Sequence, residues 1–372
     1  MTASSSIPAV DPLLVESAER LFADTSHFDE VQAAEEAGWS DAVWSAVADA
    51  GFAWIGLPAD AGGSGGSIAD ACEVLRIAAA HAAPVPLAET SMLGGWLLTL
   101  AGLELPSGAV TVVPGVAGDT LAATTSSGGL RLSGAAARVP WAAASDQIVV
   151  LIGDRPETSS GEGLGAPEPM VAVLPPSAVR IEPLGNVAGE PRETVHFDDV
   201  SPTTVAAVPA GTRAELRLRA ALARASQIAG ACAAMSALTV AYTDERQQFG
   251  RPISRFQAVQ QHLVWGAQDA AITTMAAQMA AHAACGPDGV PGAAFQIAAA
   301  RTIADDAAAS ATRWAHQAHG AMGMTQEYAL HHLSRRLWAW RREFGAPGEW
   351  PGAVGRAAAE VGADGLFPLI TS

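Results

Sequence analysis

Lysine is absent: all 21 basic residues of this 372-residue chain are arginines. Without a lysine amine there is no Schiff base, no lysine nucleophile and no Walker A lysine to hold a nucleoside triphosphate. Cysteine is scarce as well. Cys72, Cys232 and Cys285 lie far apart, with no CxxC and no Cys/His spacing suited to a metal. They read as small buried hydrophobes of a reduced, cytoplasmic protein. Positive charge is in short supply against 38 acidic residues, leaving a net charge of −17. That repels a phosphate backbone, so no nucleic acid partner is expected. The imbalance is uneven: residues 1–105 carry 15 acids against two arginines, so an anionic ligand approaches the rest of the chain more easily. No run of 18 apolar residues is present, so no membrane span is expected. The first residues have neither the basic start nor the apolar core of a secretory signal.

What is present can bury a large core: 49% of residues are apolar and 16% are charged. At roughly 100–200 residues per domain, this length predicts two or three domains. Residues 1–105 show helical periodicity, with Leu13, Leu14, Ala18, Leu21 and Phe22 on one face. Ser40 is positioned to cap a helix that stops at Gly51. A glycine-rich stretch, residues 51–66, precedes the next helix. Such a loop can cradle a phosphate, or serve simply as an interhelical turn.

Across residues 106–210 the helical period fades. Short β-rich runs at 109–113, 129–132, 147–152, 170–174 and 193–197 alternate with Gly, Pro, Ser and Asp, which predicts an antiparallel barrel or sandwich. Residues 158–169 read as a hairpin tip or loose loop. From Arg213 to Gly345 the pattern is helical again. Runs at 213–248, 256–284, 293–319 and 326–344 are long enough to close an antiparallel four-helix bundle. The expected fold is therefore α+β and multidomain: an N-terminal helical domain (1–105), a central antiparallel β domain (106–210) and a C-terminal helical bundle (211–372).

Two segments carry chemistry. Residues 246–257 read RQQFGRPISRFQ, and residues 316–324 read HQAHGAMGM. In this order, around a β domain and after the 51–66 loop, they resemble the acyl-CoA dehydrogenase family over nearly the whole chain. The family pattern is Arg-x-Gln-Phe-Gly-x-Pro-Ile-x-x-Phe-Gln. The resemblance implies a flavoprotein that abstracts an α-proton from an acyl-CoA thioester with a carboxylate and passes the β-hydride to FAD. It further implies dimers or tetramers whose FAD lies across a subunit boundary, with an electron-transferring flavoprotein as electron acceptor.

By that resemblance Arg246 meets the FAD diphosphate, for which a planar guanidinium fork is suited. Its bland alternative is a surface ion pair along a helix. Phe249 lies against the adenosine part, and Gln257 makes a polar contact with the same cofactor. Gln317, Gly320 and Ala321 form the segment whose backbone approaches the diphosphate, glycine permitting a close approach. His316 and His319 share an i,i+3 spacing, but no third metal ligand accompanies them, and no metal is expected.

The departures from the family matter as much. The usual base, a glutamate after the last bundle helix, falls here on Phe344, before Gly345. The alternative base position, on the first bundle helix, falls near Ala220 or Ala221, with Glu215 more than a turn away. Glu343 is the nearest carboxylate. Arg341 and Arg342 flank it, which favours an ion-paired residue over a proton acceptor. In the β domain, Arg138 and Pro140 stand where the family has Trp and Thr beside the isoalloxazine ring, and Pro140 has no N–H to donate. Trp141 can stack on a flavin or sit in the core.

This pattern resembles the base-less member of an α2β2 heterotetrameric bacterial acyl-CoA dehydrogenase. Such enzymes act on bulky acyl-CoA substrates, including steroid side-chain CoA thioesters. Two alternatives are a self-sufficient homomer using Glu343 as base, and a flavin-free scaffold or acyl-CoA binder.

Overall fold

The computed structural model describes residues 10–126, 129–153, 168–346 and 348–371. The helices are α1 (Pro12–Thr25), α2 (Phe28–Ala37), α3 (Asp41–Asp49), α4 (Ile68–Ala80), α5 (Trp96–Leu100), α6 (Thr212–Glu245), α7 (Gln257–Ala283), the short α8 (Gly289–Gly292), α9 (Ala294–His319), α10 (Leu330–Trp340) and α11 (Glu349–Thr371). The chain divides into two compact units, over which the three consecutive segments of the sequence reading are distributed. One unit comprises the chain up to Gln32, Ile68–Ala83 and everything from Ala221 onward. The other comprises Ala33–Ser67 and Pro84–Ala220.

The helical unit forms because its alanine-rich helices pack closely. Asp11 caps α1, its carboxylate accepting the Leu13 N–H at 2.9 Å, and Pro12 sits where a missing N–H costs nothing. Ala18 and Phe22 of α1 are fully buried, and α1 packs on α4. Along α9 pack α7, α10 and α11, so the C-terminal helices are five long or medium segments rather than four. The fourth expected helix is shorter than its periodicity suggested, running from Leu330 to Trp340. Beyond its αR cap at Arg341, Phe344 and Gly345 take positive φ (53° and 133°), which keeps the helix from resuming there. The helix Glu349–Thr371, broken at Gly362, follows the four expected helical segments. By length and composition α6 suffices to cross a bilayer, with a window of mean hydropathy 1.2. Half of that window is buried, as in a core helix.

The second unit holds two four-stranded sheets. Their strands are β1 (Val110–Val112), β2 (Ala122–Ser126), β3 (Gly129–Pro140), β4 (Gln147–Ile152), β5 (Met170–Leu174), β6 (Arg180–Glu182), β7 (Arg192–Val200) and β8 (Thr204–Ala207). The orders are β1-β4-β5-β8 and β2-β3-β7-β6. All pairs are antiparallel except β1 with β4, which is parallel. One core joins the sheets: Leu132, Val139, Val195 and Phe197 from one, Ile148, Val150 and Leu174 from the other. Most of the expected 158–169 loop lies outside the described residues.

The glycine-rich stretch after α3 is a wound interhelical turn. Its amides serve its own carbonyls: Gly56 N to Gly65 O at 2.8 Å, Gly63 N to Pro58 O at 2.9 Å, Ser64 N to Trp54 O at 3.1 Å and Gly65 N to Leu57 O at 2.9 Å. These four N–H groups are therefore not turned toward a phosphate.

Candidate functional site

All six residues expected at the cofactor lie in the helical unit, around one end of its bundle. After α6 the chain makes a two-stranded ribbon, β9 (Gln247–Gln248) against β10 (Arg251–Pro252). Phe249 and Gly250 form its two-residue turn, both at positive φ (54° and 77°). A bulky aromatic residue in that region is a strained choice, where Asn or Gly is usual. Strain of this kind persists at functional positions. The Phe249 ring is 91% exposed and meets Phe256 edge-on, with centroids 6.1 Å apart. The Arg251 guanidinium in turn lies 4.2 Å above the Phe256 ring.

Arg246 sits past the end of α6, exposed, and among the described residues its side chain forms no ion pair. The helix-surface pairing considered for it is not made. Gln257 opens the 27-residue α7, exposed, at a helix start that no side chain caps.

The second half of the site is the end of α9. Gln317 is exposed on its last turn, and Ala321 is exposed just beyond. Gly320 has φ 59° and ψ −138°, and an added Cβ would meet nothing within 4 Å. Glycine is therefore demanded here by backbone angle rather than by crowding within the chain, and the face of the turn is open.

A cluster that sequence reading did not single out joins the two halves. The buried His319 ring stacks on Tyr242 of α6 (4.4 Å between centroids, 20° between planes), and Tyr242 Oη donates to the His319 carbonyl at 3.3 Å. Tyr328 lies 5.1 Å from the same ring. The one signal in the sequence was that Tyr242 and Tyr328 are its only two tyrosines.

The positions where a base is expected hold none. Ala220 and Ala221 are fully buried methyl groups. Glu215 is paired with Arg219 at 2.9 Å. Phe344 occupies the turn after α10, and its ring faces the Arg224 guanidinium at 5.2 Å. Glu343 is ion-paired, but with Arg224 of α6 rather than with its chain neighbours: Arg224 Nη2 to Glu343 Oε2 is 2.7 Å, and Arg224 is 1% exposed. Arg301 secures the same turn by donating to the Trp340 carbonyl (2.9 Å) and the Glu343 carbonyl (3.1 Å). Its Nη2 also lies 3.1 Å from Asp305 Oδ1, without hydrogen-bond alignment because those protons already serve the two carbonyls. Burial lowers the Arg301 pKa to about 10 and raises that of Asp305 to about 6, each opposed by the other's charge.

In the unit that holds the sheets, Arg138 is exposed at a bulge of β3 with φ 58°. Pro140 gives its carbonyl to Thr111 Oγ1. Trp141 is a core residue, 4% exposed. Its Nε1 donates to the Gly38 carbonyl at 3.1 Å and Arg192 packs 4.6 Å from the ring. The Glu193 carboxylate accepts the Ala142 N–H at 2.6 Å and locks the turn after Trp141; burial raises its pKa.

Residues 218–345 match the family described as acyl-CoA dehydrogenase, C-terminal domain. The chain is 28% identical over 334 residues to acyl-CoA dehydrogenase FadE34 of Mycobacterium tuberculosis, covering 85% of this chain and 42% of that protein. This chain thus spans less than half the length of that relative. Among solved structures, it superimposes on the ChsE4-ChsE5 complex from Mycobacterium tuberculosis with a TM-score of 0.81 at 20% identity, over 96% of this chain and 98% of that one. It also superimposes on the Tcur3481-Tcur3483 steroid ACAD G363A variant with a TM-score of 0.79 at 23% identity, over 94% and 97%. At these identities the structural likeness is one of fold.

Proposed function

We propose that this chain, whose residues 218–345 match the acyl-CoA dehydrogenase C-terminal domain, is the base-less subunit of a heteromeric, FAD-dependent acyl-CoA dehydrogenase. One contrast carries this reading. The exposed binding elements are retained, while Phe344, Ala220 and Ala221 leave the base positions without a carboxylate and Arg224 engages Glu343.

The residues at the bundle end fit a dinucleotide that is held mainly by another subunit. An exposed guanidinium that forms no ion pair among the described residues, Arg246, suits a diphosphate. The outward ring of Phe249 offers a flat apolar surface to the adenosine part. Gln257 and Gln317 supply amide groups, and the open turn at Gly320 and Ala321 lets backbone come close to the phosphates. When bound, FAD supplies the hydride acceptor for α,β-dehydrogenation of an acyl-CoA thioester. This chain's part is to bind and orient, and the proton is removed by a carboxylate of the partner subunit. The Tcur3481-Tcur3483 protein is called a steroid ACAD, which favours a bulky steroid side-chain CoA as the substrate class here. An electron-transferring flavoprotein is the expected electron acceptor.

The test is flavin stoichiometry. Purified alone, the chain is expected to be colourless. Produced with its catalytic partner, it should yield one flavin per pair of chains. One flavin per chain in a purified homomer would overturn the proposal. A second test targets the carboxylate nearest the base position. In the assembled enzyme Glu343→Gln, which still accepts from Arg224, should retain turnover per bound flavin; a loss of 100-fold or more would make Glu343 the base.

A further inference from the structure

Tyr242 lies four residues before Arg246, whose N–H donates to the Tyr242 carbonyl at 2.9 Å. His319 immediately precedes Gly320. One stacked pair of rings thus links the helix turn that leads to Arg246 with the helix turn that leads to the open glycine. The imidazole is fully specified. Its Nδ1 is 2.9 Å from the Ala315 carbonyl, which places the ring proton there, and its Nε2 accepts from the Tyr328 hydroxyl at 3.3 Å. Tyr328 also meets Tyr242 edge-on at 5.6 Å. We propose that His319, held in a three-ring cluster with the only two tyrosines of the protein, is a positioning residue that holds Arg246 and the Gly320 turn in one fixed geometry for the flavin diphosphate.

This inference rests on the flavin half-site reading above. The groups facing the ring are Tyr242 from α6, Tyr328 from the segment after the glycine turn, and His316 on α9 itself; Glu245 acts on Tyr328. No carboxylate is among those that act on the ring directly. Burial, with His316 nearby, holds the His319 pKa below the ordinary histidine range, although the Ala315 carbonyl opposes this. The neutral ring is therefore the form that accepts from Tyr328, and protonation removes that acceptor. With the folded pKa depressed, the contribution of the clamp is complete above the ordinary histidine value and is lost as pH falls through the lower, folded one.

The experiment measures the FAD dissociation constant of the complete enzyme, by flavin fluorescence, together with the melting midpoint of each variant. His319→Ala removes the stack and both ring hydrogen bonds and should weaken FAD by about 10-fold. Tyr328→Phe removes one hydroxyl and should weaken it by about 2–5-fold. The parent is expected to lose FAD affinity below the ordinary histidine range, and His319→Phe, which keeps a flat ring without a titrating group, should abolish that fall. Parent-like affinity in both His319→Ala and Tyr328→Phe overturns the proposal. So does an unchanged pH profile in His319→Phe. If His319→Ala fails to fold, Tyr328→Phe and the pH comparison decide. Arg246→Ala separates the two levels. If it loses FAD while the His319 and Tyr328 variants do not, only the positioning role fails. If it binds FAD as the parent does, the half-site reading fails and this inference with it.

Discussion

Arg301→Met is expected to destabilise the helical unit by about 3–5 kcal/mol at pH 8, and by clearly less at pH 5. Arg301 has no exposed surface, yet it ties three things together: the carbonyls of Trp340 and Glu343 at the end of α10, and the carboxylate of Asp305 one turn along α9. Methionine fills most of the volume but removes one donor from each of the two carbonyls, that of Trp340 retaining the Glu343 N–H, and leaves a buried carboxylate without its main counterion. Asp305 already titrates near pH 6, above the ordinary carboxylate range, because burial outweighs the attraction of Arg301. A raised carboxyl pKa contributes stability below its unfolded value, and that contribution is lost as pH rises through the folded one. Without Arg301 the pKa rises further, Arg341 being the lesser opposing charge. The cost therefore appears in full at pH 8 and shrinks once Asp305 is protonated. Urea midpoints at the two pH values read this directly. An equal loss at both would show that the charge on Asp305 is not what is left unpaired. Replacing both partners, as Arg301→Met with Asp305→Leu, should recover much of the loss at pH 8.

Gly230→Ala carries the second large expected effect. Gly230 lies on α6 where that helix crosses α4, and an added Cβ would overlap the carbonyl oxygen of Arg76, with its carbon 2.8 Å away. A clash with backbone cannot be relieved by a rotamer, so the two helices must separate. That loosens the buried faces of α4, where Cys72, Val74, Leu75 and Ile77 are almost wholly inaccessible. Overpacking of a close core contact costs about 1–3 kcal/mol, and a backbone-on-backbone overlap belongs at the upper end. Gly266→Ala on α7 is the control with the opposite sign. Nothing lies within 4 Å of its added Cβ, so helix propensity alone should raise stability by about 0.5–1 kcal/mol. Thermal melts of the two variants side by side test the crossing. A Gly230→Ala protein as stable as the parent would mean that α4 and α6 do not approach as closely as described.

The chain's own pattern announced a good part of this architecture. Strands β4 and β5 begin and end where their short apolar runs do, and α7 and α9 follow their alanine-rich periodicity to within about a residue at each end. Strands β2, β6 and β8 were invisible because they are short, polar or exposed, so their only signature is the partner strand they bond to. The parallel pairing of β1 with β4 has no local signal at all. The site divides in the same way. Arg246, Phe249 and Gln257 stand in one contiguous motif, and the structure adds that Phe249 is strained and turned outward. Trp141 could be read equally as a flavin neighbour or a core residue until its bond to the Gly38 carbonyl placed it in the core.

The sequence by itself determined what chemistry the chain lacks, no lysine for a Schiff base or a triphosphate and no metal-binding cysteine pattern, and its resemblance to the family set phenylalanine and alanine at the expected base positions. It also determined the helical and β segments, because periodicity and capping act over a few residues. Only the tertiary structure decided what the remaining polar groups do. Glu343 was expected beside Arg341 and Arg342, yet it is held by Arg224, 119 residues away in the chain. His319, for which the sequence implied no ligand, is stacked on Tyr242, 77 residues earlier. The reason is physical: a hydrogen bond or ion pair depends on which groups the fold brings within about 3 Å in a dry interior, and chain neighbours on a helix point in different directions.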